Sequence, residues 1–114
     1  MSLRRFTLAA IAVPAAALLA AGCAATGTSE PVATTEVTMA KSYRFDPKTV
    51  EIEAGQTVTW TNDDNFTHTV QVEGRRDHKV GRGESVSIRF AKAGTYDYVC
   101  TLHSHDMHGT VIVG

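Results

Sequence analysis

Cysteine is scarce in this sequence of 114 residues, which contains only Cys23 and Cys100. Basic residues are also few. Apart from Arg4 and Arg5, which lie in the N-terminal segment described next, nine lysines and arginines stand against twelve acidic residues. That balance offers no basic patch for nucleic acid, so a nucleic-acid partner is not expected. No internal repeat is visible either, which leaves local patterning and the spacing of individual residues to indicate fold and function.

The only long apolar run is N-terminal and too short for a comfortable membrane span. It covers residues 6–19, follows two arginines and ends in small residues, as a secretory signal does. Residues 19–23, LAAGC, resemble the lipobox of a bacterial lipoprotein. We therefore predict a lipoprotein signal peptide over residues 1–22 and an extracytoplasmic protein, in the periplasm or at the cell surface, anchored to a membrane by lipid on Cys23. An ordinary secretory signal cut nearby and an uncleaved anchor are the alternatives.

The residues after the signal divide into a tether and one domain. Residues 23–35 are predicted to be a flexible tether, because their small and polar residues cannot bury a core. Residues 36–114 then form a single domain with a modest core.

Lipid on Cys23 leaves Cys100 without a disulfide partner, and a leftover thiol in an exported protein needs an explanation. It is either a buried small hydrophobe or a metal ligand.

Apolar and polar residues alternate with a period of two through the predicted domain, which is typical of half-buried strands. Residues 85–90, SVSIRF, show the pattern most clearly. Turn residues at 54–55 and 93–94 separate such segments, and the polar stretch of residues 74–82 is predicted to be a loop. About seven or eight strands result. The pattern predicts an all-β fold, a Greek-key β-sandwich or flattened barrel.

Three side chains with metal-binding chemistry lie close together near the end of the chain. Cys100 ends a predicted strand in phase with Tyr98, and His103 and Met107 follow in the next loop. His68, 32 residues before Cys100, lies in phase with the apolar residues of its own predicted strand. Two histidines and a cysteine with a weak axial methionine form the arrangement that selects copper for electron transfer. The β-framework must fold to complete such a site.

These motifs resemble the plastocyanin, amicyanin and pseudoazurin branch of the cupredoxin family over roughly residues 39–113. The resemblance is carried by FDPKTVEIEAGQTVTWTN at residues 45–62, HTV at residues 68–70 and GTYDYVCTLH at residues 94–103. It implies a cupredoxin-like sandwich of eight strands with one type 1 blue copper ion, and an electron carrier rather than an enzyme. Its implied ligands are His68, Cys100 and His103 in the equatorial plane and Met107 as the axial ligand. We expect a monomer that exchanges single electrons with a redox protein donor and acceptor.

The segment from His103 to Met107 departs from the family pattern. Its C-x2-H-x3-M spacing is one residue longer than in amicyanin and one shorter than in plastocyanin, so the axial bond length and the reduction potential cannot be inherited. His105 and His108 lie in the same loop. Either could replace Met107 as the fourth ligand, and exposure to solvent is the alternative for each. Val99 stands where plastocyanins have a tyrosine that resembles a remote electron port.

Neighbours of the ligands suggest how electrons enter and what holds the site. The exposed edge of His103 is the expected route of entry and exit, with Phe66 and Leu102 as an apolar docking patch around it. Thr69 and Thr101, each next to a ligand, either connect the two ligand segments or are ordinary polar residues of strands.

Three rival functions stay open. A lipid-anchored copper carrier or scavenger would pass copper to another protein and would use His105 and His108 for capture. An enzyme is suggested by the H-x-H pair of His103 and His105, which resembles pairs in multicopper oxidases and copper nitrite reductases. Such centres need a further set of histidines, and the sequence has only five. A purely structural sandwich would leave Cys100 inert.

Overall fold

Ten short β-strands form the regular structure in the computed structural model, which describes residues 30–114. In chain order they are β1 (Val32–Ala33), β2 (Glu36–Ala40), β3 (Arg44–Asp46), β4 (Thr49–Ile52), β5 (Thr57–Asn62), β6 (His68–Val72), β7 (His78–Val80), β8 (Ser85–Arg89), β9 (Gly94–Val99) and β10 (His108–Val113). The predicted signal peptide, residues 1–22, and the predicted lipid site, Cys23, lie outside the described residues. From residue 30 onward, no helix has the length and apolar character needed to span a membrane.

The strands form two sheets of mixed direction. One has six strands in the order β1-β4-β10-β9-β6-β7, and the other has four in the order β3-β2-β5-β8. The pairs β1–β4, β4–β10 and β2–β5 are parallel, and the remaining neighbours are antiparallel. The last strand, β10, therefore lies in the interior of the larger sheet, between β4 and β9.

Strand β5 illustrates why this sequence folds as a sandwich. Val58 and Trp60 are completely buried, whereas Thr59 and Thr61 alternate with them and hydrogen-bond to serines of β8 at 2.8 Å. Apolar side chains from both sheets meet in one shared core. The all-β sandwich expected from the alternation is confirmed.

The number of strands and one predicted loop differ from the sequence-based expectation. Ten strands are present among residues 30–114 rather than seven or eight, because three of them have only two or three residues and bury at most one side chain. Segments this short show no alternation. One of them, β7, lies within residues 74–82, so the prediction of a continuous loop there was wrong: Val80 is buried and pairs with His68. Another, β1, lies within the predicted tether and pairs with β4.

One end of the larger sheet collects the segments that matter for metal binding. Val99 of β9 pairs with His108 of β10, so residues 100–107 form a loop at that end. Strand β6 lies on the other side of β9 and begins there with His68. The fold thus brings a residue from the middle of the chain beside the loop that precedes the last strand.

Candidate metal centre

His68 and Cys100 meet inside the protein. Both side chains are completely buried, and His68 Nδ1 lies 3.8 Å from Cys100 Sγ. The alternation of β6 turns His68 inward together with Val70 and Val72, which are equally buried. Cys100 follows β9 in phase with the buried Tyr98. Two donor atoms suited to a soft metal ion therefore face each other in an apolar surround.

A buried carboxylate fixes the orientation of the His68 ring. Asp64 Oδ2 lies 2.8 Å from His68 Nε2, and the Asp64 side chain is only 5% exposed. Burial by itself would raise the pKa of Asp64, but hydrogen bonds from His68 and from the Asn65 N–H outweigh it, and the pKa lies below its ordinary value. An ionised carboxylate can only accept, so it holds the ring proton on Nε2. When the ring is neutral, Nδ1, which faces Cys100, therefore has its lone pair available for a metal.

Asn62 builds the turn that presents Asp64. Its buried side chain donates from Nδ2 to the carbonyl oxygens of Phe66 at 2.8 Å and Val80 at 3.0 Å. Its Oδ1 accepts from the Asp64 N–H at 2.9 Å. The last residue of β5 therefore holds the loop that leads to His68. Side-chain amides have enough donors and acceptors to replace missing backbone partners in this way.

His103 lies at the rim of the same site, among aromatic side chains. The centroid of its half-buried ring is 5.3 Å from that of His68 and 4.5 Å from that of Tyr43. The Tyr43 ring in turn stacks on Phe66 at 5.7 Å. Phe66 and Leu102 are 54% and 56% exposed, so apolar surface is open to solvent around the site.

The loop turns Met107 inward, while His105 in the loop and His108, the first residue of β10, face outward. Met107 is completely buried, whereas His105 and His108 are exposed. Backbone bonds close the loop: the Cys100 N–H donates to the Met107 carbonyl at 3.0 Å, and the Met107 N–H donates to the His103 carbonyl at 2.9 Å. In this conformation the thioether, and neither of the two alternative imidazoles, lies on the interior side.

The two threonines beside the ligands are joined. Thr69 Oγ1 and Thr101 Oγ1 are 2.8 Å apart, and the Thr101 N–H donates to Thr69 Oγ1 at 2.7 Å. The Thr69 N–H points at Cys100 Sγ, 3.4 Å away. Thr101 Oγ1 also donates to Asp77 Oδ2 at 2.6 Å. Of the two possibilities left by the sequence, the structure supports a connection between the ligand segments.

The donor set matches copper better than the other common metals. Two imidazoles, a thiolate and a thioether are the ligands of electron-transfer copper sites, and a carboxylate on the far ring nitrogen is a usual support for a ligating histidine. No group of three or more His, Cys, Asp or Glu side chains within residues 30–114 is already arranged to hold an ion. Among the four predicted ligands, His68 and Cys100 are the pair that already lies close together.

Several supporting residues escape sequence reasoning. In the sequence, Asn62 and Asp64 have the pattern of an ordinary polar turn. Tyr43 precedes β3 in a segment where apolar and polar residues do not alternate. Asp77 lies 24 residues from the threonine it accepts from. Asp64 is four residues before His68, but spacing within an irregular loop does not by itself predict a contact between two side chains.

Known proteins resemble this chain over most of its length. Residues 9–113 match the family model described as a cupredoxin-like domain. Amicyanin-alpha of Methylorubrum extorquens is 38% identical over 95% of this chain and 95% of its own length. A plastocyanin of Scenedesmus fuscus is 36% identical over 60% of this chain and 85% of its own length.

Solved structures show the same fold in two settings. An amicyanin variant in its Cu(I) form is 30% identical with a TM-score of 0.61, covering 77% of this chain and 95% of that one. A copper-containing nitrite reductase from Thermus scotoductus is 33% identical with a TM-score of 0.60. That match covers 75% of this chain but only 23% of the reductase. The fold thus occurs both as a protein of this size and as one part of a larger enzyme.

Proposed function

This chain belongs to the cupredoxin-like family, and we propose that it carries single electrons on one copper ion held by His68, Cys100, His103 and Met107. The observation that carries this proposal is the buried pair of His68 Nδ1 and Cys100 Sγ, 3.8 Å apart. In the neutral ring, the bond to Asp64 places the proton on Nε2. A thiol that served only as a small hydrophobe would not need a neighbouring imidazole with its lone pair directed at the sulfur.

The protein supplies rigidity to this chemistry. Copper, when bound, provides the one-electron couple between Cu(I) and Cu(II). His68 is held by Asp64, Cys100 by the Thr69 N–H, and the loop by its own backbone bonds. Ligands held by surrounding hydrogen bonds need to move little when the charge of the ion changes. Little movement favours fast electron exchange.

Electrons enter and leave through the rim at His103. The other proposed ligands are completely buried, whereas His103 is half-buried and reaches the surface beside Leu102 and Phe66. Exposed apolar patches rimmed by polar residues are typical of protein contact sites. A monomer would use this patch to dock, in turn, a redox protein donor and a redox protein acceptor.

The place of action that we propose is extracytoplasmic, at a membrane. Support comes from the sequence alone, through the signal-like residues 1–22 and the lipobox-like residues 19–23. Lipidation requires Cys23, so Cys23→Ala should move the protein from the membrane fraction to the soluble fraction of cells. Equal partition of the two forms would contradict a lipid anchor and leave the copper proposal intact.

A copper titration tests the proposed site. Cu(II) added to the folded copper-free protein should produce the intense blue absorption of a thiolate–copper bond. Cys100→Ser should abolish that band, because it removes the thiolate. Met107→Leu should keep the band and shift the reduction potential, because only the weak axial ligand is lost. A colourless product that binds zinc alone would overturn the proposal, since zinc accepts the same nitrogen and sulfur ligands.

A copper carrier or scavenger is the second candidate, favoured by the exposed His105 and His108 next to the loop ligands. The two functions differ in how firmly the ion is kept. Repeated reduction and reoxidation with a competing chelator present should leave copper in an electron carrier. Rapid loss of copper over a few cycles would favour the carrier and scavenger function.

An enzyme remains the least supported alternative. The nitrite reductase match involves about a quarter of that protein, so the rest of the enzyme has no counterpart here. The chain has five histidines, of which the proposed site uses two. Purified copper-loaded protein is expected to show neither nitrite reduction nor oxygen consumption, and turnover in either assay would reopen this alternative.

A further inference from the structure

Asp77 lies outside the proposed ligand set but reaches its hydrogen-bond network. It is exposed, in the segment between β6 and β7, and accepts from Thr101 Oγ1 at 2.6 Å. That distance is typical of a hydroxyl donating to an ionised carboxylate, a bond about twice as strong as one between neutral groups. Of the side-chain bonds around the two threonines, this one involves a full charge.

The bond to Asp77 fixes the direction of the hydroxyl bond between the two threonines. A hydroxyl has one proton, and Thr101 gives its proton to Asp77, so Thr101 Oγ1 can only accept from Thr69. Thr69 Oγ1 therefore donates its proton to Thr101 and accepts the Thr101 N–H. The result is a closed pair of bonds between two adjacent strand ends. Without a carboxylate at position 77, the Thr101 proton could turn toward Thr69 and reverse the hydroxyl bond of the pair.

The closed pair adds to the strand pairing of Thr69 with Lys79 of β7 in positioning the Thr69 backbone. The Thr69 N–H points at Cys100 Sγ, 3.4 Å away, and it is the backbone donor that reaches this sulfur among the described residues. Hydrogen bonds to the sulfur of a copper-binding cysteine tune the reduction potential, because they withdraw electron density that the thiolate would otherwise give to the metal. A small movement of Thr69 would weaken this bond.

We infer that Asp77 is a positioning residue for the sulfur ligand: through Thr101 and Thr69 it holds the Thr69 N–H on Cys100 Sγ. The inference rests on the proposed copper function for its effect on potential. It adds to that function a residue that touches neither the metal nor any of its proposed ligands.

Asp77→Asn and Asp77→Ala distinguish the positioning role of Asp77 from the effect of losing its charge. The two effects shift the reduction potential in opposite directions. Removing a negative charge near the site raises the reduction potential, since it disfavours the more positive Cu(II) state. Weakening the N–H bond to sulfur lowers the potential, since a more electron-rich thiolate stabilises Cu(II). Asp77→Asn removes the charge but keeps an acceptor oxygen, so the potential should stay or rise. Asp77→Ala removes both, so the potential should fall below that of Asp77→Asn.

A control variant and a second mutant background test whether the effect of Asp77 passes through Thr101. Asp63→Ala removes an exposed carboxylate from the loop before His68 that makes no side-chain bond to the threonines, and it should shift the potential only upward. In a Thr101→Val background, which breaks the route, Asp77→Ala and Asp77→Asn should have the same potential. Equal potentials of Asp77→Ala and Asp77→Asn in the natural background would overturn the inference.

The copper-free protein gives an independent measurement. The amide proton resonance of Thr69 should move upfield in Asp77→Ala, because the hydrogen bond to sulfur weakens, and should keep its position in Asp77→Asn. An unchanged resonance in Asp77→Ala would count against the role of Asp77 even if the potential shifted. If the protein formed no blue copper site, the proposed function would fail, while this resonance would still decide whether Asp77 positions Thr69.

Discussion

At the scale of single residues, Asp64 is the side chain that prepares the buried His68 for its proposed role as a metal ligand. A lone inward histidine is more often a hydrogen-bonded core residue, and His68 could have been one. The 2.8 Å contact with Asp64 assigns its two ring nitrogens different roles, with Nε2 as the donor and Nδ1 as the free acceptor facing Cys100. The metal site is thus prepared by a residue that would not itself bind the metal.

Replacing Asp64 should weaken copper binding while leaving the ligands in place. Asp64→Asn puts a neutral amide against Nε2, so the ring proton is held less firmly and can move to Nδ1. Loss of such a supporting carboxylate typically costs about 10–100-fold in metal affinity, which competition with a chelator would measure. Asp63→Asn is the control, because that neighbour is exposed and should change affinity little. Equal affinity of both variants and the unmodified protein would show that His68 needs no support.

The same carboxyl should also make the stability of the copper-free protein depend on pH. Since the pKa of Asp64 in the folded protein lies below its ordinary value of 3.8, the ionised form favours folding. This contribution is present above about pH 3.8 and is lost as the pH falls through the folded-state pKa. Urea unfolding at a series of pH values should show the stability difference between the unmodified protein and Asp64→Asn shrinking in that acid range. A difference that grew on acidification would contradict the assignment.

At the scale of elements, the close approach of β9, β10 and the start of β4 depends on Gly109. Tyr98 of β9 crosses directly over Gly109 of β10, and its hydroxyl donates to the Lys48 carbonyl at 3.0 Å. Burial raises the pKa of Tyr98 far above its ordinary value, so the hydroxyl stays protonated and able to donate. A Cβ atom on Gly109 would collide with both the Tyr98 ring and the Lys48 carbonyl.

Gly109→Ala should therefore destabilise the fold. Overpacking against well-ordered neighbours costs roughly 1–3 kcal/mol, and here one neighbour is backbone that cannot turn away. Chemical unfolding of the copper-free protein would give the free-energy loss. Gly81→Ala is the matched control, because its Cβ would meet the carboxylate of the Glu84 side chain at 3.1 Å and no backbone atom that close. A smaller loss for Gly109→Ala than for Gly81→Ala would contradict the packing described.

The alternation of apolar and polar residues predicts the longer strands. It does not predict the loops and short strands between them. The inward phase of His68 and Cys100 is readable, because each continues a strand whose apolar residues recur every second position. The roles of Asp64 and Asp77 are not readable, since loop residues have no period and each contact depends on a turn or on a partner distant in sequence. Strand β7 is missed for a related reason, because its burial rests on Val80 alone.

At the scale of the whole molecule, the proposed ligands come from segments that only tertiary structure joins. His68 belongs to β6, whereas the other three proposed ligands come from the loop between β9 and β10. An ion bound by all four connects these segments in the folded state and has no equivalent site in the unfolded chain. Metal binding and global stability should therefore be linked.

Copper loading should accordingly raise the melting temperature of the protein. A ligand that binds only the folded state stabilises it by about 2.7 kcal/mol when its free concentration is about 100 times Kd. Calorimetry with and without Cu(I) under reducing conditions would measure the shift, and Cys100→Ser should show a much smaller one. Identical melting temperatures for loaded and copper-free protein would contradict linkage between the site and the fold.

The interior position of β10 determines when, during synthesis and folding, the proposed metal site can form. Residues 108–113 complete the larger sheet between two other strands and close the loop that contains three of the four proposed ligands. A nascent chain that lacks them contains Cys100 but not the closed loop that buries it. Copper binding at the proposed site must consequently follow the synthesis and pairing of residues 108–113.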